Sequence, residues 1–176
     1  SNLDENFFNM KSKSEWVVYL DDKEERNKAR DKWQDLSQLK ISEIQLIDKY
    51  LPKKRDDFKD FCKNYISSLG FDRLSIDIYA DNLTKNENET EREKEHVKKL
   101  GRALKSTCPA RISKVNYYRI FGQLKSIIDF HDRLLISNLF IIDVGVGFEN
   151  LLTDQETNSK LTCESILNEA SYNRVR

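Results

Sequence analysis

The sequence predicts an α/β protein with a mixed, mostly parallel β-sheet flanked by helices. Short runs of β-branched and aromatic residues alternate with amphipathic segments of helical period through most of the chain. The later β-runs follow one another closely, which favours hairpins added to a parallel core. With 176 residues, the chain is long enough for one domain with a sizeable core.

The composition limits the classes of function. Hydrophobic residues make up 38% of the chain, and 30 basic residues balance 30 acidic ones, so no global charge attracts nucleic acid or anionic membranes. No apolar run approaches the roughly 20 residues of a membrane span. The 3 cysteines are widely spaced, so neither a disulfide framework nor a zinc site is expected. No cofactor is expected. We expect a cytoplasmic domain with reduced thiols, cut from a larger polypeptide.

Residues 1–40 are predicted to form an N-terminal strand and helix attached to the domain. The first 14 residues are polar, and we expect them to fray. "EWVVYL" is a run of β-formers. Asp22, with Glu25 three residues later, forms a capping box that begins a helix. Ala29 and Trp33 lie on its apolar face.

Residues 41–152 are predicted to form the core. "ISEIQLIDKYL" and "LSIDIYA" are strand-like, and they flank a helix at 57–69 whose apolar positions recur at helical spacing: Phe58, Phe61, Cys62, Tyr65, Ile66 and Leu69. Gly70 stands where a C-terminal cap belongs. A polar stretch leads into a second helix that Pro109 ends, and strands are predicted at 111–117 and within 127–146. Residues 153–176 are predicted to be a closing helix and tail.

The stretch "FHDRLLISNLFIIDVGVGFENLL" carries the candidate site. His131 is followed at fixed spacings by Arg133, Asn138 and Gly145-Val146. This spacing resembles the signature of the phospholipase D superfamily, which reads His-x-Lys, four residues, Asp, six residues, then Gly-Ser or Gly-Gly. Arg therefore replaces Lys, Asn replaces Asp, and Val replaces Ser.

Two further features extend this resemblance over roughly residues 41 to 152. Asp48 and Tyr50 resemble an Asp-x-Tyr pair that often ends the first strand of phospholipase D-like modules. The His-Asp-Arg start is also similar to the degenerate phospholipase D-like C-terminal domain of MIT-domain proteins. The resemblance implies a phospholipase D-like half with a pocket near Gly145 and Gly147. His131 and Arg133 are expected on one face of a strand, because strand side chains alternate.

The chemistry of the superfamily explains why the replacements matter. Two copies of the motif meet in one site, where one histidine attacks phosphorus and the other protonates the leaving oxygen without a metal. Arg133 is expected to clamp a phosphate with its planar fork, whereas Asn138 supplies no charge. A module that binds phosphate and is non-catalytic or weakly active is therefore the leading interpretation. One alternative is a metal-independent homodimeric nuclease or phosphodiesterase using His131. Another is an ordinary buried strand with a hydrogen-bonded histidine.

A locally basic segment suggests which ligand is bound. From Lys98 to Arg133 the sequence contains nine basic residues and only two acidic ones, with aromatic residues interleaved. The phosphate-binding candidates are Arg133, Lys114, Arg111 and Lys105. Nucleic acid is the first predicted ligand, and phosphoinositide headgroups are the second. A solvated helix face balanced by the preceding acidic stretch is the alternative for this segment, and a protein-interaction domain is a third interpretation of the whole chain.

Overall fold

A computed structural model describes residues 2–48, 55–80, 87–108, 111–119, 133–145 and 159–166. In chain order its helices and strands are α1 (Asn2–Lys13), β1 (Trp16–Tyr19), α2 (Lys23–Asp35), β2 (Glu43–Ile47), α3 (Arg55–Asn64), β3 (Leu74–Ala80), α4 (Glu87–Thr107), β4 (Ile112–Arg119), β5 (Leu134–Ser137), β6 (Phe140–Asp143) and β7 (Lys160–Ser165). The strands form one 7-stranded sheet in the order β1-β7-β6-β5-β2-β3-β4.

The sheet has a parallel part and an antiparallel part. β2, β3 and β4 are parallel neighbours, joined through α3 and α4. The other neighbouring pairs, from β2–β5 across to β7–β1, are antiparallel. The predicted mixed sheet flanked by helices is therefore confirmed, but "mostly parallel" is wrong. The short link between β5 and β6 permits only a hairpin, and β1 and β7 pair from opposite ends of the chain.

The core lies on one face of the sheet. In β3, Leu74, Ile76 and Ile78 are each at most 1% exposed, while the intervening side chains face the other way. The same buried cluster contains Trp33 from α2 and Phe61 from α3. Leu100 and Leu104 of α4 also belong to it, so α2, α3 and α4 cover this face. We call it the helix-covered face and name the opposite one, whose β3 side chains are partly exposed, the open face.

The structure confirms the helix signals that depend on neighbouring residues in the sequence. Asp22 caps α2, its Oδ1 accepting the Glu25 N–H at 2.9 Å. The helix predicted at 57–69 is present as α3 and a following 3-10 turn, Ile66–Ser68. Gly70 does not act as a left-handed cap, because Gly145 is the described glycine with positive φ. At Gly70 a Cβ would lie 2.2 Å from the Ser37 carbonyl oxygen, so glycine is needed there for close approach.

The two chain ends differ from the prediction. Residues 2–13 form α1 instead of fraying, with Phe7 and Met10 packed against the core. The prediction of a closing helix is wrong for Lys160–Ser165, which is a strand between β1 and β6. β1 and β7 therefore extend the sheet beyond the strands of the predicted core. Predictions that fall on residues 49–54, 81–86, 109–110, 120–132, 146–158 and 167–176, among them the helix end at Pro109, lie outside the described residues.

Candidate phosphate-binding site

Asp48 and Arg133 meet at one edge of the sheet. The parallel strands β2, β3 and β4 end together at what we call the carboxyl edge and begin at the opposite amino edge. Asp48 follows β2, and its N–H donates to the Tyr79 carbonyl oxygen at 3.1 Å. β5 runs antiparallel to β2 with Leu134 opposite Ile47, so Arg133 precedes β5 at the same edge. Side-chain alternation directs both Asp48 and Arg133 toward the helix-covered side.

The two side chains form a largely buried ion pair. Arg133 Nε lies 3.5 Å from Asp48 Oδ1, and the side chains are 16% and 1% exposed. A buried carboxylate is costly unless a cation compensates it, so Arg133 supplies a counter-charge that Asp48 requires. The same contact fixes the direction of the guanidinium plane. Arg133 is therefore an oriented cation at the carboxyl edge.

Gly145 completes this arrangement from the neighbouring strand. The Arg133 backbone oxygen accepts the Val144 N–H at 2.8 Å, which continues the β5–β6 ladder by one step. Arg133 Nη1 then donates to the Gly145 carbonyl oxygen at 3.2 Å. Gly145 has φ 57°, a left-handed conformation that glycine adopts without a Cβ penalty. The backbone turn thus presents its carbonyl oxygen to the arginine.

Sequence reasoning missed Asp143 as part of this turn. Its Oδ1 accepts the Gly145 N–H at 2.8 Å, closing a side-chain turn two residues long. Asp followed two residues later by Gly is a recognisable turn signal, because an Asp carboxylate readily bonds the backbone two residues on. Asp143 therefore shapes the turn that positions the Gly145 carbonyl oxygen.

The structure brings together some of the predicted site residues and separates others. Asp48, Arg133 and Gly145 come from distant parts of the sequence and meet at the carboxyl edge. Asn138 lies at the other end of the hairpin, where its Oδ1 accepts the Ser42 N–H at 3.0 Å. Five residues of strand separate it from Arg133, roughly 17 Å. Asn138 therefore joins the hairpin turn to the start of β2.

Three predicted site residues are not among the described ones. Tyr50, His131 and Gly147 lie outside the described ranges, so the shared face of His131 and Arg133 stays a prediction.

The other predicted phosphate ligands lie near the amino edge. Arg111 precedes β4, and its Nη2 donates to the Phe71 carbonyl oxygen while its guanidinium carbon lies 4.0 Å from the centroid of the Phe71 ring. Lys114 is exposed near the start of β4, and Lys105 is exposed in the last turn of α4. Arg133 at the carboxyl edge is thus separated from the three other predicted phosphate ligands, which lie near the amino edge.

Comparison with known proteins assigns no family to this α/β chain: no family model matches it, and no curated protein matches it. None of the helices in the described ranges has both the length and the apolar character needed to cross a membrane. Within those ranges, no three His, Cys, Asp or Glu side chains are grouped so that they could hold a metal ion.

Proposed function

We propose that this protein is a degenerate phospholipase D-like module that binds phosphate-bearing ligands at its carboxyl edge, within a larger cytosolic protein. Single-stranded nucleic acid is the first ligand class, and phosphoinositide headgroups are the second. The observation that carries the proposal is the oriented guanidinium of Arg133, held by Asp48 and by the Gly145 carbonyl oxygen. Arginine suits this role because its planar fork matches two phosphate oxygens.

The position of Arg133 supports ligand binding. In open α/β sheets, ligands commonly bind in the crevice outside the carboxyl ends of the strands. The connections after β2 and β3 lead into α3 and α4 there, so the positive ends of two helix dipoles face the same edge. The crevice position favours a ligand at the carboxyl edge, while the acidic residues Asp56, Asp57 and Glu87 in the first turns of α3 and α4 offset part of the dipole effect.

The Asp48 contact argues against efficient catalysis. A cation that stabilises a transition state must respond to charge developing on the phosphate. Arg133 is instead already neutralised by a carboxylate that is 1% exposed. Together with the replacements at Arg133, Asn138 and Val146, this favours binding with little or no turnover. The alternative, a metal-independent homodimeric nuclease or phosphodiesterase using His131, predicts efficient turnover.

Fluorescence anisotropy with a labelled single-stranded oligonucleotide, at low and moderate salt, tests the binding site. We expect micromolar or weaker affinity that falls as salt rises. Because Arg133→Gln alone would remove a cation beside a buried carboxylate, the test variant combines Asp48→Asn with Arg133→Gln. Asp48→Asn alone is the companion variant, since it keeps the arginine and removes the negative charge of Asp48. The single variant should bind more tightly than the wild type, and the double variant more weakly.

Arg111→Gln is the matched control, because it removes one cation from the amino edge. We expect it to lower affinity less than the loss of Arg133 does, with a change in the salt slope of about one unit or less. Equal effects of the two arginines would mean diffuse electrostatic attraction and contradict the proposed site. Vesicles containing a phosphoinositide, run in parallel, distinguish the ligand classes. Binding to neither probe would remove the proposal and leave the protein-interaction interpretation.

Cleavage assays on single-stranded DNA, RNA and an aryl phosphodiester address catalysis. We expect no robust hydrolysis by the wild-type protein, either with chelator or with added divalent metal. Metal-independent cleavage that His131→Ala abolishes would instead establish the nuclease alternative. In that case sedimentation should also reveal a dimer, because one motif copy does not complete the site.

A further inference from the structure

β1 is an edge strand: it is the outermost strand on one side of the sheet. Among the described strands it pairs only with β7, in antiparallel register from Trp16 opposite Cys163 to Tyr19 opposite Lys160. The Leu20 N–H donates to the Ser159 carbonyl oxygen at 2.8 Å. The backbone N–H and C=O groups of the even-numbered residues of β1 therefore face β7. Because hydrogen-bonding directions alternate along a strand, the N–H and C=O groups of Val17 and Tyr19 point away from the sheet.

The side chains on this edge are apolar and exposed. Val17 and Tyr19 are each 55% exposed, and both lie on the open face. Proteins usually protect an edge strand with lysine, proline or a bulge that discourages further pairing. The sequence of β1, WVVY, contains neither lysine nor proline. It therefore offers both backbone groups and apolar surface to an additional strand.

An open cleft of about 490 Å³ lies beside this edge, and it has an acidic rim. Its lining residues are Glu15, Trp16, Val17, Thr162, Cys163, Glu164 and Ser165. Extending the β1–β7 register by one residue places Glu15 opposite Glu164 on the open face. Like charges at directly opposite positions destabilise a strand pair, because their Cβ atoms are roughly 5 Å apart. A cation placed between the two carboxylates would relieve that repulsion.

Among the described residues, the neighbouring basic groups provide this cation only weakly. Glu15 forms an ion pair with Lys11 at 3.5 Å, but the side chains are 48% and 40% exposed, and such surface pairs contribute little. Lys160 lies at the other end of the pair, opposite Tyr19. The lining of the cleft itself contains two glutamates and no lysine or arginine. The charge of the site therefore selects a basic occupant.

We propose that the β1 edge binds an extended segment of a partner protein, which adds as a strand and places one arginine or lysine side chain between Glu15 and Glu164. Strand addition draws affinity from main-chain hydrogen bonds and specificity from pockets that take alternate side chains. A second copy of this chain fits less well, because β1 carries no lysine or arginine that a symmetric edge-to-edge pair could place beside these glutamates. This surface is separate from the carboxyl-edge site, since β7, β6 and β5 lie between β1 and β2.

Short labelled peptides test this proposal with the intact chain. The probe alternates valine and threonine around one central arginine. A second peptide carries glutamate in place of that arginine, and a third has N-methylated amides along the edge that would pair. We expect the arginine peptide alone to bind, with NMR amide shifts concentrated in residues 15–19 and 160–165. Equal binding of the N-methylated peptide, or no binding of any peptide, would overturn strand addition.

A charge-reversal substitution in the protein provides a second test of the proposal. Glu164→Lys should weaken binding of the arginine peptide about tenfold or more, because like charges across an interface are costly. The matched control is Glu43→Lys, an exposed glutamate at the start of β2 on the same open face. If both reversals weaken binding equally, the effect is one of overall charge and the assigned pocket is wrong. If the chain self-associates and the Val17→Lys substitution abolishes that self-association, the occupant of the β1 edge is a second copy of the chain and not a segment of a partner protein.

Discussion

The carboxyl edge and the amino edge each hold an arginine, and the two arginines are used differently. Arg133 and Arg111 both donate a hydrogen bond to a backbone carbonyl oxygen. Arg133, however, faces a carboxylate that is 1% exposed, whereas Arg111 lies over the ring of Phe71. The first interaction depends on charge balance, and the second depends on packing and cation–π attraction. Counting basic residues along the sequence cannot distinguish these roles.

The two edges also differ in how tightly the backbone is packed. At the amino edge, the Gly70 carbonyl oxygen accepts the Ile41 N–H at 2.9 Å. A Cβ on Gly70 would approach the carbonyl oxygens of Ser37 and Leu39 at 2.2 and 2.7 Å. At the carboxyl edge, a Cβ on Gly145 would meet the Lys160 carbonyl oxygen at 3.3 Å, so the main obstacle there is the positive φ. A larger residue is therefore excluded at Gly70 by lack of space, whereas at Gly145 it is disfavoured by the backbone conformation.

Gly70→Ala should produce the largest loss of stability. The clash is with main-chain atoms, so it cannot be relieved by rotating a flexible side chain. We expect the free energy of unfolding to fall by more than about 3 kcal/mol, the upper range for overpacking. Urea denaturation followed by circular dichroism measures this loss.

Gly101→Ala is the control for that substitution. The methyl group meets nothing within 4 Å at this position in α4. Alanine should therefore stabilise the helix by up to about 1 kcal/mol through its higher helix propensity. If both alanine variants have the same stability, the close approach at Gly70 does not exist.

Asp48→Ala should have the next largest effect, at the carboxyl edge. Removing one partner of a fully buried ion pair costs about 3–5 kcal/mol, because the charge that remains loses an opposite charge beside it. Arg133 is 16% exposed and can recruit water, so we expect a smaller loss of about 2–3 kcal/mol. Thermal and urea unfolding would measure it.

A second ion pair provides the comparison at the amino edge. Lys40 and Asp72 are 3.2 Å apart, but their side chains are 80% and 81% exposed. Asp72→Ala should therefore cause no measurable loss of stability, since exposed pairs are screened by water and salt. Equal losses for Asp48→Ala and Asp72→Ala would show that burial does not govern the carboxyl-edge pair.

The sequence predicted the elements that depend on local signals. The Asp22 capping box and the apolar periodicity through Phe61 and Tyr65 produced helices where expected. β7 was missed because "KLTCESIL" is compatible with an apolar helix face as well as with alternation. Its strand state depends on pairing with β1, which is distant in the sequence. Pairing at such separations cannot be read from periodicity.

The candidate site was predicted in part. The resemblance singled out Asp48, Arg133 and Gly145, and antiparallel pairing of β5 with β2 and β6 brings them together. It gave no reason to place Asn138 at the opposite end of the hairpin. Nor could composition reveal that Arg111 would be held by Phe71. These assignments depend on which strand ends share an edge, and that is set by the topology of the whole sheet.

The last prediction concerns two buried thiols near the amino edge. Cys62 is 0% exposed and Cys108 is 3% exposed. Burial raises the pKa of Cys62 far above its ordinary value of 9.0, and the neighbouring Cys108 adds to that effect. Burial also raises the pKa of Cys108, with a smaller opposing effect from Arg111. Both groups therefore keep their protons in the folded chain at a pH where the unfolded chain loses them.

The sign of the pH dependence follows from this difference. Above about pH 9 the unfolded state binds fewer protons than the folded state, so the free energy of unfolding falls as pH rises. Each thiol contributes at most about 1.4 kcal/mol per pH unit. Replacing both Cys62 and Cys108 with alanine should reduce this alkaline slope, measured by urea unfolding under reducing conditions, while the buried Cys163 thiol keeps part of it. Asp48→Ala should leave the slope unchanged, because carboxyl groups do not titrate in that range. An unchanged slope in the double cysteine variant would mean that the thiols do not titrate on unfolding.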